Sequence, residues 1–352
     1  MNYFEERNDR NIRRAREIVE QLPDFAEEFF IGSSLRTTEL TRLNYAYDLR
    51  IFFDYLSRIH FKNTIPLKDI TLSDLEKLSP LDLEKYTEYL TSYTIGDKKL
   101  TCGDRAKERK LCTLRSFFKY YFKKDKLSSN ITTKVDLPKI HQKAIVRLEI
   151  DEVVHLLDSA ENAQGFSNRQ KRFHEKTKER DVALLTLMLG TGIRVSECVG
   201  LNKEDLDFTR NAFTVTRKGG DTTILYFSEE VRTALKEYVD WQTQQETHQT
   251  PFYKNLKDKD ALFISLQGTR MGVRAVEKLV KKYAASVTPL KKITPHKLRS
   301  TFGTNLYRET QDIYVVADLL GHKDINTTKK HYADMSDEIR RESARKVKLK
   351  ED

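Results

Sequence analysis

Three features of the 352-residue sequence predict a mainly α chain in two parts, a helical N-terminal half and a mixed α+β C-terminal half with a small three-stranded antiparallel sheet. Apolar residues recur at helical intervals through most of the N-terminal third. Across residues 126–147, KLSSNITTKVDLPKIHQKAIVR, that periodicity lapses among Ser, Thr, Pro and basic residues, which reads as a linker with a domain boundary near residue 140. Beyond it, helical runs are interrupted by three short alternating segments, the last two flanking Gly219-Gly220.

The first half reads as four helices. Residues 5–30 form the first, charged at its start and apolar through LPDFAEEFF. Residues 37–58 form the second, with Leu40, Leu43, Tyr47, Phe52 and Leu56 at helical spacing. A third opens at Ser79-Pro80, where Asp82 completes a capping-box pattern, and turns Leu83, Tyr86, Leu90 and Tyr93 inward. The fourth, 104–124, carries a core stripe of Leu111, Leu114, Phe118, Tyr121 and Phe122. Arg105, Arg109, Ser116, Lys119 and Lys123 share its other face, which is cationic. A single basic face of this kind is ordinarily a solvated surface.

In the second half, 149–159 reads as helix and 165–178, GFSNRQKRFHEKTK, as polar and irregular. A buried helix over 180–189 stops at Gly190-Thr191-Gly192, and Arg194 opens a short helix with Glu197 three residues on. Strands follow at 205–208, 212–217 and 222–227, with Lys218 at the edge of the two-glycine turn. Helices occupy 229–245 and 272–286, and a charged helix from residue 337 closes the chain.

Lys+Arg outnumber Asp+Glu by 63 to 53, for a net charge of +10 and a pI near 9.2. A folded surface with basic regions, and with them a polyanionic partner such as nucleic acid, is the expectation. Cys102, Cys112 and Cys198 lack metal-ligand spacing and leave an odd thiol, which points to a reducing cytoplasm. No apolar run reaches the ~18–20 residues that span a bilayer, and the charged start MNYFEERNDR is unlike a secretory signal.

Segment 293–335, ITPHKLRSTFGTNLYRETQDIYVVADLLGHKDINTTKKHYADM, concentrates groups capable of chemistry. Thr294-Pro295 is an N-cap followed by proline at the first helical position. His296 and Arg299, three apart, share a face near the positive end of that helix. A second helix, 312–320, ends at Gly321, a left-handed C-cap, and His322 follows it directly. Asn326 caps a third helix bearing Tyr332. Two imidazoles, a guanidinium and a phenol from three short elements make an oxyanion cradle beside a candidate nucleophile. Singly, each residue has an ordinary reading. His322 can bind helix carbonyls, Lys218 can be a solubilising turn residue, and Tyr307 and Tyr314 rival Tyr332.

HKLR, then LLGHKDINTT, then Tyr332, preceded by GTGIRVSE around Arg194 and VTRKGGD around Lys218, resemble in order and spacing the motifs of the tyrosine recombinase (phage integrase) family. The likeness covers roughly residues 145–340. It implies a SAM-like core-binding domain over 1–140 and a catalytic domain over 148–352, whose segment 337–352 is exchanged between protomers. The implied catalytic residues are Arg194, Lys218, His296, Arg299, His322 and the nucleophile Tyr332, with Glu197 orienting Arg194. Arg105, Arg109, Lys119 and Lys123 then face DNA. The expected partner is double-stranded DNA with inverted-repeat half-sites, bound by a monomer or dimer and paired in a homotetramer, with no metal, ATP or other cofactor.

Arg194 and Arg299 supply bidentate donors that stay charged at any working pH. His296 and His322 add donors, and His296 can also accept the tyrosine proton. Lys218 is the candidate acid for the leaving 5′ oxygen. Within the family, LPDFAEEFF, KERDVALLTLMLGTGIRVSE and VTRKGG look most like the single-protein, XerS-like Xer recombinases, which resolve chromosome dimers at dif-type sites. A two-domain mobile-element integrase is the runner-up. A type IB topoisomerase, which shares the chemistry but needs no paired site, is a more distant alternative.

Overall fold

A computed structural model describes residues 3–140, 146–163, 166–217, 220–321 and 325, and the chain divides into two compact units, Met1–Lys143 and Ala144–Asp352.

The first unit is built from α1 (Tyr3–Val19), α2 (Ala26–Ser33), α3 (Glu39–Tyr55), α4 (Leu72–Glu76), α5 (Pro80–Tyr89) and α6 (Asp104–Phe122). The single helix expected over 5–30 is two helices. Pro23 lacks an N–H and disfavours helical backbone at Leu22, so the chain breaks there, with Leu22 buried. Thr38 caps α3, which runs on into a π-helical turn, Leu56–His60. The α5 capping box forms as its sequence pattern predicts, with Asp82 Oδ2 accepting from the Ser79 N–H at 2.9 Å and from Ser79 Oγ at 2.7 Å. Between α5 and α6 lies a hairpin that the helical reading omitted, β1 (Tyr93–Ile95) with β2 (Lys98–Leu100), turning at Gly96 with φ +54°.

The core of this unit is aromatic. Phe117 of α6 meets Phe29, Phe53 and Tyr121 edge-to-face at 5.1, 5.9 and 5.0 Å. Phe117 replaces Phe122 in the expected stripe, since Phe122 is exposed. Leu127, Ile131 and Val135 also belong to this core, so the early part of the expected linker packs on the helices.

The second unit contains α7 (Ile150–Asn162), α8 (Asn168–His174), α9 (Lys178–Thr191), α10 (Val195–Cys198), β3 (Leu206–Asp207), β4 (Ala212–Thr216), β5 (Thr222–Tyr226), α11 (Glu229–Thr247), α12 (Pro251–Lys254), α13 (Val273–Val287), α14 (Pro295–Thr310) and α15 (Ile313–Leu320). The region read as irregular at 165–178 holds α8. Ser167 and Gln170 close a capping box at its start, and His174 is buried against the Ala160 carbonyl at 2.8 Å.

After its charged first turn, helix α9 is buried over residues 183–188, and Leu184, Leu185, Leu187 and Met188 are each fully buried. Such a helix belongs at a centre, and α7, α11 and α14 pack around it. Asp181 at its start is buried yet accepts from Lys282 (3.1 Å), Tyr283 Oη (2.8 Å), Thr177 Oγ1 (3.1 Å) and Arg180, which ties α9 to α13. The sheet order is β3-β4-β5, antiparallel throughout, with Thr216 opposite Thr222 at the turn end of the β4–β5 hairpin. Helix α15 lays Val316 and Leu320 against Phe302, Leu306 and Tyr307 of α14. Among the described residues, no helix is long and apolar enough to cross a membrane.

Candidate active site

The site begins where α9 ends. Gly192 takes the left-handed conformation (φ +62°), and a side chain there would strike Phe302 and Leu320. The reversal turns Arg194 back as the N-cap of α10. Glu197, three residues on, binds it twice: Oε2 accepts from the Arg194 N–H at 3.1 Å, and Oε1 from Nη1 at 2.8 Å. The carboxylate is buried, whereas a third of the Arg194 side chain is exposed. Arg194 Nη2 donates to the Gly321 carbonyl at 3.0 Å.

Arg299, buried in the second turn of α14, donates through Nη1 to the Gly192 carbonyl at 2.6 Å and through Nη2 to the Leu320 carbonyl. A third guanidinium joins them. Arg217, the residue after β4, donates through Nη1 to the Leu320 carbonyl at 2.9 Å and through Nη2 to that of Leu319 at 3.3 Å. Burial lowers its pKa, and the nearby Glu197 carboxylate opposes that shift. An arginine so placed keeps its proton at any working pH.

Three arginines from three segments thus converge on the carbonyls of Leu319, Leu320 and Gly321, at the negative end of α15. The last carbonyls of a helix generally lack partners within it, and the dipole favours cations beside them. Gly321 adopts φ +59°, and a Cβ there would occupy the position of the Arg217 guanidinium. The missing side chain therefore admits both the C-cap and the arginine.

The structure gathers Arg194, Glu197 and Arg299 from the residues singled out in the sequence. His296 lies exposed on the first turn of α14, three residues before Arg299. Lys218, His322 and Tyr332 lie outside the described residues, as do the helix expected after Asn326 and the segment 337–352. Tyr307 packs against α15, and Tyr314 is exposed on its outer face. On α6, Arg105, Lys119 and Lys123 are exposed. Arg109 is only half-exposed and pairs with Asp48, whose buried carboxylate also accepts from Lys110 at 3.0 Å and Thr113 Oγ1 at 2.9 Å. Arg217 is not among the residues the sequence singles out, where the motif RKGG points to Lys218 beside it. No local pattern marks it, because its partners lie about a hundred positions further along the chain.

Residues 147–338 match the sequence profile of the Phage integrase family. Over 94% of its length the chain is 32% identical to the tyrosine recombinase XerC of Caldanaerobacter subterraneus, covering 88% of that protein. It is 28% identical over 93% of its length to the tyrosine recombinase XerS of Streptococcus pneumoniae, covering 96% of it. Among solved structures, it is similar to the XerH site-specific recombinase bound to palindromic difH substrate in a post-cleavage complex. That likeness has a TM-score of 0.64 at 20% identity, over 87% of this chain and 80% of that one. The Tn1549 transposon integrase in complex with circular intermediate DNA is similar at a TM-score of 0.63 and 20% identity, over 90% and 98% of the two chains. At these identities the structural likeness speaks for the fold.

Proposed function

The chain belongs to the phage integrase family of tyrosine recombinases, enzymes that cleave and rejoin DNA, and on that premise we propose that it cuts each strand through a covalent 3′-phosphotyrosyl link to Tyr332. The observation that carries this reading is the fixing of Arg194 and Arg299 on the carbonyls of Gly321 and Leu320. One peptide bond beyond Gly321 is His322, and Tyr332 follows it by ten residues in the chain. The guanidiniums are thereby held at the root of the segment that carries the nucleophile.

In the proposed reaction the Tyr332 oxygen attacks the scissile phosphorus and its proton passes to His296. Arg194, Arg299 and His322 hold the non-bridging oxygens, each preorganised donor contributing about 3–4 kcal/mol at the transition state. The bond to the 5′ oxygen breaks, and Lys218 supplies the proton that this oxygen needs. Joining is the same path in reverse with a 5′-hydroxyl from another strand, so the energy of the broken linkage is retained in the phosphotyrosine.

The proposed substrate is a dif-like chromosomal site with inverted-repeat half-sites, two such sites being paired by four copies of the chain for dimer resolution. Full-length similarity to XerC and XerS supports this role above integration of a mobile element. In this reading the unit Met1–Lys143 acts as a core-binding domain, the unit Ala144–Asp352 carries the chemistry, and residues 337–352 dock on a neighbouring protomer. The test uses nicked suicide DNA carrying the inverted repeats found in the source chromosome and, separately, those at the ends of its mobile elements. A denaturing gel should show an adduct on the chromosomal repeat that is lost in Tyr332→Phe. Adduct on element ends alone would favour the integrase reading. Adduct persisting in Tyr332→Phe would move the nucleophile to another tyrosine.

A further inference from the structure

We infer that Arg217 is a positioning residue for the proposed general acid, a staple that fixes the β4–β5 hairpin to the end of α15 so that hairpin and helix end present their groups to one phosphate. This rests on the role given to Lys218 above.

Arg217 stands at the point where the hairpin leaves its ladder. Its N–H donates to the Asp221 carbonyl at 2.7 Å, and its own carbonyl accepts from the Gly220 N–H at 3.1 Å, so its backbone closes the turn. Its side chain leaves the sheet altogether and binds Leu319 and Leu320, residues about a hundred positions further along the chain. The staple is thus a polar link between the two elements. It is also shared: the Leu320 carbonyl accepts from both Arg217 and Arg299. Displacing one guanidinium therefore disturbs the footing of the other.

The link to Lys218 is covalent, one peptide bond from Arg217. A lysine carries its charge on a long, flexible stem, and glycines in the sequence beside it widen the backbone's choices. Fixing the residue before it removes much of that freedom, which is what proton delivery to a single oxygen requires. Arginine suits the task better than lysine because its planar fork reaches two carbonyls at once. The room for that fork is supplied by Gly321. A simple C-cap for α15 would need neither the fork nor an origin on the hairpin, and the two explanations differ in what they do to the leaving-group step.

The experiment measures single-turnover cleavage of the DNA site by the full chain, with an ordinary phosphodiester and with a bridging 5′-phosphorothiolate, whose thiolate leaves without a proton. Arg217→Ala should slow the ordinary substrate by about 10²-fold, the scale of a misplaced catalytic group. The phosphorothiolate should restore most of that loss, and Arg217→Lys should recover part of it on the ordinary substrate. In a Lys218→Ala background, Arg217→Ala should add little further. A loss equally deep on both substrates for Arg217→Ala, with Lys218→Ala rescued normally, would overturn the staple and leave the general acid standing. A Lys218→Ala defect that the phosphorothiolate does not rescue would instead remove the general-acid reading itself. Should Arg217→Ala fold poorly, Arg217→Gln, which keeps most of the aliphatic stem and one NH2 donor group, gives the same comparison between substrates.

Discussion

The guanidiniums of Arg194 and Arg299 hold the carbonyl oxygens of consecutive residues, Gly321 and Leu320, yet they stand in different surroundings. Arg299 is buried and Arg194 is a third exposed. The two alanine variants should therefore differ in stability although both lose cleavage. Arg299→Ala strips the Gly192 carbonyl of its buried donor, at about 1–3 kcal/mol, while the Leu320 carbonyl keeps Arg217. Arg194→Ala leaves Gly321 near solvent and should melt closer to the parent. Thermal melts read beside adduct formation check the contrast, and equal melting temperatures would count against it.

Gly321→Ala tests the crowded end of α15. An alanine at φ +59° costs about 1–2 kcal/mol in backbone strain, and its methyl group meets Arg217. The expected result is a lowered melting temperature together with slower cleavage. Gly272→Ala serves as the control, because a Cβ there meets open space at an ordinary φ. Both variants behaving alike would show that the Arg217 contact is dispensable.

Asp181 sets an acid limit on the second unit. Burial alone would raise its pKa, but Arg180, Lys282 and the Tyr283 hydroxyl outweigh burial and bring it below the usual carboxylate value. A depressed folded-state pKa means that the unfolded chain takes up the proton first as pH falls. The stabilisation is present above about pH 3.9, the ordinary aspartate value, and is lost as pH drops through the lower folded value. Asp181→Asn should lower stability at neutral pH and flatten its decline in acid. Urea titrations at several pH values from neutral to about pH 3 measure both, and parallel curves for the two proteins would refute the assignment.

Much of this arrangement is legible in the sequence. The capping box at Ser79 and the glycine stops at 192 and 321 each have a local cause and occur where that cause places them, while Thr294 stands at the N-cap of α14 without a side-chain capping bond. The β4–β5 hairpin was equally plain from its alternation and its two glycines. Features that escaped depend on tertiary context. Phe117 and Phe122 are adjacent candidates for one helix face, and only packing against Phe29 and Phe53 selects between them. Helix α8 has little apolar periodicity and is fixed by a cap and by buried His174. Arg217 contacts residues a hundred positions away, which no local pattern records.

The segment 337–352 offers Ile339, Ala344 and Val347 at roughly helical spacing, a stripe small enough for an exchangeable contact between protomers. Deleting it should leave binding to a single half-site nearly unchanged, weaken cooperative filling of the second, and abolish full recombination. Gel shifts on half-site and full-site DNA, with a two-site recombination assay, provide the readout. Normal recombination by the truncated chain would reduce the segment to a solvated tail.

The cationic face of α6 divides into two kinds of residue, and the division is measurable. Lys119 is exposed, so Lys119→Ala should weaken DNA binding and reduce the slope of log K against log[salt] by about 0.9, the release of one phosphate's counterions. Arg109 instead pairs with Asp48, a carboxylate removed from water and shared with buried Lys110. Its loss should act mainly on the folding of the first unit, because the remaining partners must neutralise Asp48 alone. Asp48→Asn is the sharper test of that network. It leaves the Lys110 ammonium buried without its counter-charge, which typically costs about 3–5 kcal/mol. Lys119→Ala should therefore change the salt slope at constant melting temperature, and Asp48→Asn should change the melting temperature first. An Arg109→Ala protein that melts normally but loses a full phosphate's worth of salt dependence would return Arg109 to the DNA-facing set, and would mean that the Asp48 pair opens when DNA binds.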